Sequence, residues 1–176
     1  GGFLLAGDTY SFGAGSQDGW LVKTDVNGKI QWNQTYGGWA GDEINALIQT
    51  DDGGYAFSGS TSSFGRGNND MWLVKTDISG QVQWNQTFGG NDSDWAIGVI
   101  HMEDGSFALA GCTQSFGAGE YDMWLVKTDE LKSIDNGDTS KTSGISSNGQ
   151  ISPGWGILSL VILLLLEPIW RKRKKS

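Results

Sequence analysis

Apolar and polar residues alternate in short runs along most of this chain, and the runs recur in a fixed order. In Met71 to Asp77, Trp72, Val74 and Thr76 share one face while Leu73, Lys75 and Asp77 share the other. A period of two marks a strand. Tyr55 to Thr61, after the turn residues Asp51-Asp52-Gly53-Gly54, alternates in the same way, with Tyr55, Phe57 and Gly59 against Ala56 and Ser58. Gln81 to Thr87 carries Val82 and Trp84 on one side. Trp95 to Met102 predicts a fourth strand, and its counterpart places Ile44, Ala46 and Ile48 in alternation. Between the second and third strands stands Ile78-Ser79-Gly80 or its counterpart Val26-Asn27-Gly28, whose Asn-Gly pair is a strong short hairpin signal. The pattern predicts an all-β chain of four short strands per unit.

The unit is a repeat. Trp20, Trp72 and Trp124 recur inside GWLVKTD, MWLVKTD and MWLVKTD, and Phe12, Phe64 and Phe116 inside SFGAG, SFGRG and SFGAG. Residues 1–52 set on 53–104 without a gap share 26 identical positions. Identity at half of the positions with no insertion excludes compositional coincidence, and a period of this length belongs to repeat architectures. The third copy, 105–131, fades after Asp129, leaving about two and a half units. Four antiparallel strands per unit is the pattern of a β-propeller blade, with a β-solenoid or stacked sandwich as the alternatives. Glycine at 28 residues and tryptophan at 9 suit tight turns and broad packed strands.

The sequence opens on Gly1-Gly2-Phe3, in the middle of a repeat, and is read as the C-terminal fragment of a longer protein. A closed propeller requires at least about four blades.

After the repeats the periodicity stops. Residues 132–152, KSIDNGDTSKTSGISSNGQIS, are rich in Ser, Thr, Gly and Asn and read as a flexible stalk. Residues 153–176 contain the apolar block GILSLVILLLL, flanked by Trp155 and Trp170 and closed by Arg171, Lys172, Arg173, Lys174 and Lys175. An apolar block ending in a basic cluster is a stop-transfer pattern, although shorter than the usual span of about 20 residues. It predicts a hydrophobic C-terminal helix crossing the cell membrane once. The basic end would lie in the cytoplasm and the repeats outside.

Two resemblances accompany these residues. The string DMWLVKTDISGQVQWNQTFGG, followed by a strand and DGSFALAGCTQSFG, resembles the extracellular β-propeller repeats of bacterial and archaeal envelope proteins. Within it Asp25, Gly28 and Trp32 are similar to the docking motif of quinoprotein-type propellers. This implies the fold and an envelope setting; it supplies no catalytic or quinone-binding residue. Pro153-Gly154-Trp155, the apolar block and the basic end together resemble the sorting tails of archaeal surface proteins.

Charge narrows the partners. Seven basic and 19 acidic side chains precede Pro153, so this portion carries a net −12 and repels nucleic acid. Cys112 is the only cysteine and stands where the other copies have Asp8 and Ser60, a poor setting for a nucleophile. His101 is the only histidine and faces Gln49 in the other copy, so no triad assembles around it. Acidic pairs at Asp42-Glu43, Asp51-Asp52 and Asp92/Asp94 lack calcium-loop spacing and read as turn-forming, solvated residues. Lys23-Asp25, Lys75-Asp77 and Lys127-Asp129 read as strand residues on one face, in cross-strand pairs. No cofactor or metal is expected.

Sequons for N-linked sugar stand at Asn33, Asn85 and Asn91; Asn91 is predicted in a loop and the others within a strand. Trp39 and Tyr121 break the repeat in loops and are the candidates for a ligand surface. The expected function is a cell-surface-anchored, non-catalytic binding or adhesion module with an extracellular protein or glycan ligand. A structural envelope protein, or the non-catalytic end of an exported enzyme, are the alternatives.

Overall fold

The computed structural model describes residues 1–129. The expected stalk at 132–152 and anchor at 153–176, with Trp155, Trp170, Arg171, Lys172 and Arg173, lie outside the described residues. Ten strands form: β1 (Leu4–Thr9), β2 (Asp18–Thr24), β3 (Ile30–Tyr36), β4 (Asp42–Gln49), β5 (Tyr55–Thr61), β6 (Asp70–Thr76), β7 (Val82–Phe88), β8 (Asp94–His101), β9 (Phe107–Thr113) and β10 (Asp122–Lys127). The described residues contain no helix, hence none long and apolar enough to cross a membrane.

The strands make three antiparallel sheets, ordered β1-β2-β3, β4-β5-β6-β7 and β8-β9-β10. The sheet is not the sequence unit. β4 ends the repeat that begins at Gly1, yet it pairs with β5 of the next repeat, and β8 likewise pairs with β9. Four strands drawn from one unit are thereby corrected to a sheet that takes its first strand from the preceding repeat. The hydrogen bonds of the turns show the difference. Residues 50–54 close a tight β4–β5 hairpin through the Thr50–Gly54 and Gly53–Thr50 backbone bonds, while Gly37–Gly41 carry the chain over to a new sheet.

The hairpins between second and third strands form as predicted. Asp25 Oδ1 accepts from Asn27 N and Lys29 N at 2.9 Å each, and Asp77 does the same for Ser79 and Gln81. Gly28 and Gly80 take φ of 82° and 80°, a conformation open to glycine. Asp25 and Asp77 therefore cap turns. The lysines pair elsewhere: Lys75, buried, reaches Asp52 at 2.7 Å, and Lys127 reaches Asp104 at 2.8 Å.

β4 departs from strict alternation. A bulge between Ile44 and Ala46 shifts the register. Ile44 and Leu47 face the first sheet, whereas Ala46 and Ile48 face the third. Gly59 opposite permits this, because a Cβ there would run into the Glu43 carbonyl oxygen. β8 bulges at the same place, between Ala96 and Gly98, opposite Gly111.

Two apolar layers join the sheets. Between the first and second lie Leu21, Tyr36, Ile44, Phe57, Trp72 and Val74. Between the second and third lie Ala56, Met71, Leu73, Ala96, Val99, Phe107, Leu109 and Val126. Phe57 stands edge-on to Tyr36 at 4.9 Å and to Trp72 at 5.5 Å. Every residue of β5 and β6 is buried, because their sheet is covered on both faces. The outer sheets are covered on one. Met123 is 63% exposed where its counterpart Met71 is fully buried, and Leu5 is 53% exposed where Phe57 is fully buried.

One buried group sits badly. The Ser58 hydroxyl, inside the second layer, has no hydrogen-bond partner, and the other repeats have Ala6 and Ala110 there. Desolvating an unmet hydroxyl costs about 1–3 kcal/mol. Ser58→Ala is expected to raise unfolding stability by about 1 kcal/mol, read as a higher urea midpoint at unchanged slope.

Candidate functional site

The eight-residue β1–β2, β5–β6 and β9–β10 loops gather at one end of the sheets with the β3–β4 and β7–β8 crossovers, and the hairpin turns lie at the other. Backbone contacts tie the long loops together: Asp42 N donates to Gln17 O, Ser62 N to Gly41 O, Asp94 N to Asn69 O and Gln114 N to Ser93 O. Beneath these loops lies a buried row of aspartates, Asp18, Asp42, Asp70 and Asp94. Each does structural work. Asp42 accepts from the hydroxyls of Thr61 and Ser63 and from Gly38 N; Asp94 accepts from Thr113, Ser115 and Gly90 N. Asp18 takes the N–H groups of Ala14 and Gly15, Asp70 that of Arg66, and Asp122 that of Ala118. Asp42 and Asp94 are therefore not solvated turn residues. They are fully buried clasps between one sheet's loop and the next strand pair.

Gly89 is wedged between the Asp70 and Asp94 carboxylates, as Gly37 is between Asp18 and Asp42. Burial, with the Asp94 charge beside it, raises Asp70 to about 6, against the lowering effect of the Arg66 N–H. In the unfolded chain an Asp titrates near 3.9. Between pH ~4 and ~6 the folded protein therefore holds a proton that the unfolded chain has released, and stability falls as pH rises through this window. Asp52 works at lower pH and with opposite sign. Partial burial pulls it up, but Lys75, Thr50 and Gly54 hold it at about 2, so its contribution is lost as pH falls from ~4 toward 2. In Asp70→Asn the decline between pH 4 and 6 is expected to flatten, as measured by urea midpoints across that range.

Above the aspartates the loops expose aromatic rings. Trp39, in the β3–β4 loop, is 80% exposed, and Tyr121, before β10, is 57% exposed. Both thus stand at the same end, in loops of different sheets. Tyr121 rests edge-on against Trp95 at 5.3 Å. Three further exposed rings at this end, Tyr10, Phe12 and Phe64, were not singled out from the sequence. Phe12 and Phe64 belong to a recurrent pair with the strand tryptophan, 5.8 Å from Trp20 and Trp72, matched by Phe116 at 5.1 Å from Trp124. Such recurrence reads as packing, and the exposure shows only in three dimensions.

The sequon residues Asn33, Asn85 and Asn91 are all exposed. Asn91 lies in the β7–β8 loop, while Asn33 and Asn85 sit on the edge strands β3 and β7, within 3.4–3.5 Å of the Trp20 and Trp72 indole nitrogens.

Clefts open at the opposite end of the described residues. One of about 710 Å³ opens between the first and second sheets, lined by Leu4, Trp32, Leu47 and Tyr55 among others. The second, about 420 Å³, holds His101, whose ring stacks on Phe107 at 4.8 Å with Nδ1 3.7 Å from exposed Asp51. Cys112 is a half-buried free thiol in β9, in register with Trp95 and Met123. Among the described residues no three His, Cys, Asp or Glu side chains converge as metal ligands would.

No protein-family model and no curated protein sequence matches this chain.

Proposed function

We propose that residues 1–129 are consecutive blades of a β-propeller that serves as a non-catalytic binding or adhesion module on the cell surface, anchored by the C-terminal apolar segment. One observation carries the reading: each sheet packs the same forward face onto the same back face of its successor, with Ala56, Met71 and Leu73 meeting Leu109 and Val126 as Leu21 meets Phe57 and Val74. A directional stack of antiparallel sheets is how blades of a propeller follow one another. The shared first strand, taken from the preceding repeat, supports it further.

Binding is assigned to the long-loop end. Exposed aromatic rings on loops that are fixed from below suit an extracellular glycan or protein, since stacking surfaces held rigid lose little entropy on contact. The acidic charge argues against nucleic acid as the partner. Trp39→Ala tests the assignment. Against a panel of immobilised glycans and surface proteins, the bound partner should be lost by about tenfold or more, with no change in thermal unfolding. Retention of full binding by both Trp39→Ala and Tyr121→Ala would move the ligand face elsewhere.

A further inference from the structure

The outer edge of β1 differs from the same edge of its two counterparts. β5 and β9, the counterparts of β1, each pair along this edge with an antiparallel strand, β4 or β8. β1 pairs only with β2 among the described residues. An unpaired edge presents free N–H and C=O groups that a further strand can take up.

Its loop is already set for that partner. Thr61 Oγ1 accepts from Ser63 N and Phe64 N, and its own proton goes to Asp42 at the head of β4. Thr113 repeats this with Ser115 N, Phe116 N and Asp94 at the head of β8. Thr9 Oγ1 accepts from Ser11 N and Phe12 N in the same way. Ser63 and Ser115 also donate to Asp42 and Asp94, and Ser11 is their counterpart. In register, Asp42 lies opposite Thr61 and Asp94 opposite Thr113.

The backbone shows the same readiness. A Cβ on Gly59 would strike the Glu43 carbonyl, and one on Gly111 the Trp95 carbonyl, whereas a Cβ on Gly7 meets no heavy atom within 4 Å. Gly7 holds open the space that the bulged partner strand fills in the other two sheets.

We propose that the β1 edge binds an extended antiparallel segment of the β4/β8 type: an aspartate at its head, set opposite Thr9 and clasped by the hydroxyls of Thr9 and Ser11, and a bulge opposite Gly7. The occupant is a strand from a further repeat of this kind. The inference rests on the pairing of the described strands and does not depend on where the protein resides or what its loops bind.

The test uses the full chain in detergent and a labelled peptide of residues 41–50, GDEINALIQT, with binding followed by fluorescence polarisation. The peptide is expected to bind saturably. Asp42→Ala in the peptide alone should weaken it on the order of tenfold, the equivalent of one charge-assisted hydrogen bond. Gly7→Ala in the chain should abolish binding while leaving the melting temperature of the free chain unchanged, since nothing occupies that space. The control Gly59→Ala should lower the melting temperature. Equal binding of the Asp and Ala peptides, full binding by Gly7→Ala, or no binding to the wild-type chain overturns the proposal. So does a wild-type chain that is oligomeric and becomes monomeric on Gly7→Ala, which would assign the edge to a second copy.

Discussion

Replacing Asp94 by alanine is expected to lower unfolding stability by about 2–4 kcal/mol, the size of loss that follows when buried hydrogen-bond donors are left unmet. Asp94 is fully buried, and four donors converge on it: the hydroxyls of Thr113 and Ser115, the Gly90 N–H and, at 3.5 Å, the Ser115 N–H. Alanine leaves the Thr113 and Ser115 hydroxyls without this acceptor, while Gly90 N keeps Ser115 Oγ at 3.1 Å, and each unmet buried donor costs about 1–3 kcal/mol before any relaxation. Asp94 also joins sheets, since Gly90 follows β7 of the second sheet while Thr113 ends β9 of the third and Ser115 follows it. Asp94→Asn keeps one acceptor oxygen and removes the charge facing Asp70. Its cost should be smaller than that of alanine, and the raised titration of Asp70 should relax downward with it. Urea unfolding of both variants, with the pH dependence of each, separates the hydrogen-bonding role from the electrostatic one.

The second large effect lies in the apolar layer. Phe57→Ala is expected to cost about 3–5 kcal/mol, the range for an aromatic ring deleted from a packed core. Phe57 is fully buried and touches rings on both sides, Tyr36 of the first sheet and Trp72 of its own. The Tyr36 hydroxyl in turn donates to Gly80 O at 2.7 Å, and burial holds its ionisation well above the usual tyrosine range. A ring fixed at its far end cannot slide into the space Phe57 leaves, so collapse of the cavity is limited. Leu5→Ala supplies the contrast. Leu5 is the counterpart of Phe57 on the open back face, and its removal should cost well under 1 kcal/mol.

Much of this architecture is legible in the chain itself. The 52-residue spacing of Trp20, Trp72 and Trp124 places the second strand of each repeat, and alternation in Met71–Asp77 assigns Trp72 and Val74 to one layer and Leu73 to the other, as found. The grouping of strands into sheets is not legible in that way. A repeat has no marked beginning, so a unit counted from Gly1 and a sheet that begins at Asp42 fit the same periodicity. The β4 bulge is hidden for a related reason: Ile44, Ala46 and Ile48 alternate in the sequence, and only the contact with Gly59 shows that one residue steps out of line.

The aspartates are the larger miss. Asp42 and Asp94 stand in runs of small polar residues that read as solvated turns. Their 52-residue spacing, shared with Thr61 and Thr113 and with Ser63 and Ser115, is the signal that could have located the clasp. Exposed Trp39 and Tyr121 were marked because they break the repeat. Phe12 and Phe64 escaped because recurrence alone cannot distinguish a ring half-covered by its strand tryptophan from one wholly inside; Tyr10, where the other copies have Ser62 and Gln114, breaks the repeat as Trp39 does and could have been found by the same signal.

The most direct test of surface display is protease treatment of intact cells that make the full chain. The folded repeats should resist cleavage, and the Ser/Thr/Gly-rich segment 132–152 should be cut. The account predicts that a fragment carrying residues 1–129 is released into the medium while the apolar tail stays with the membrane. Full-length chain that survives on intact cells and is cut only after lysis would place the repeats inside and contradict it.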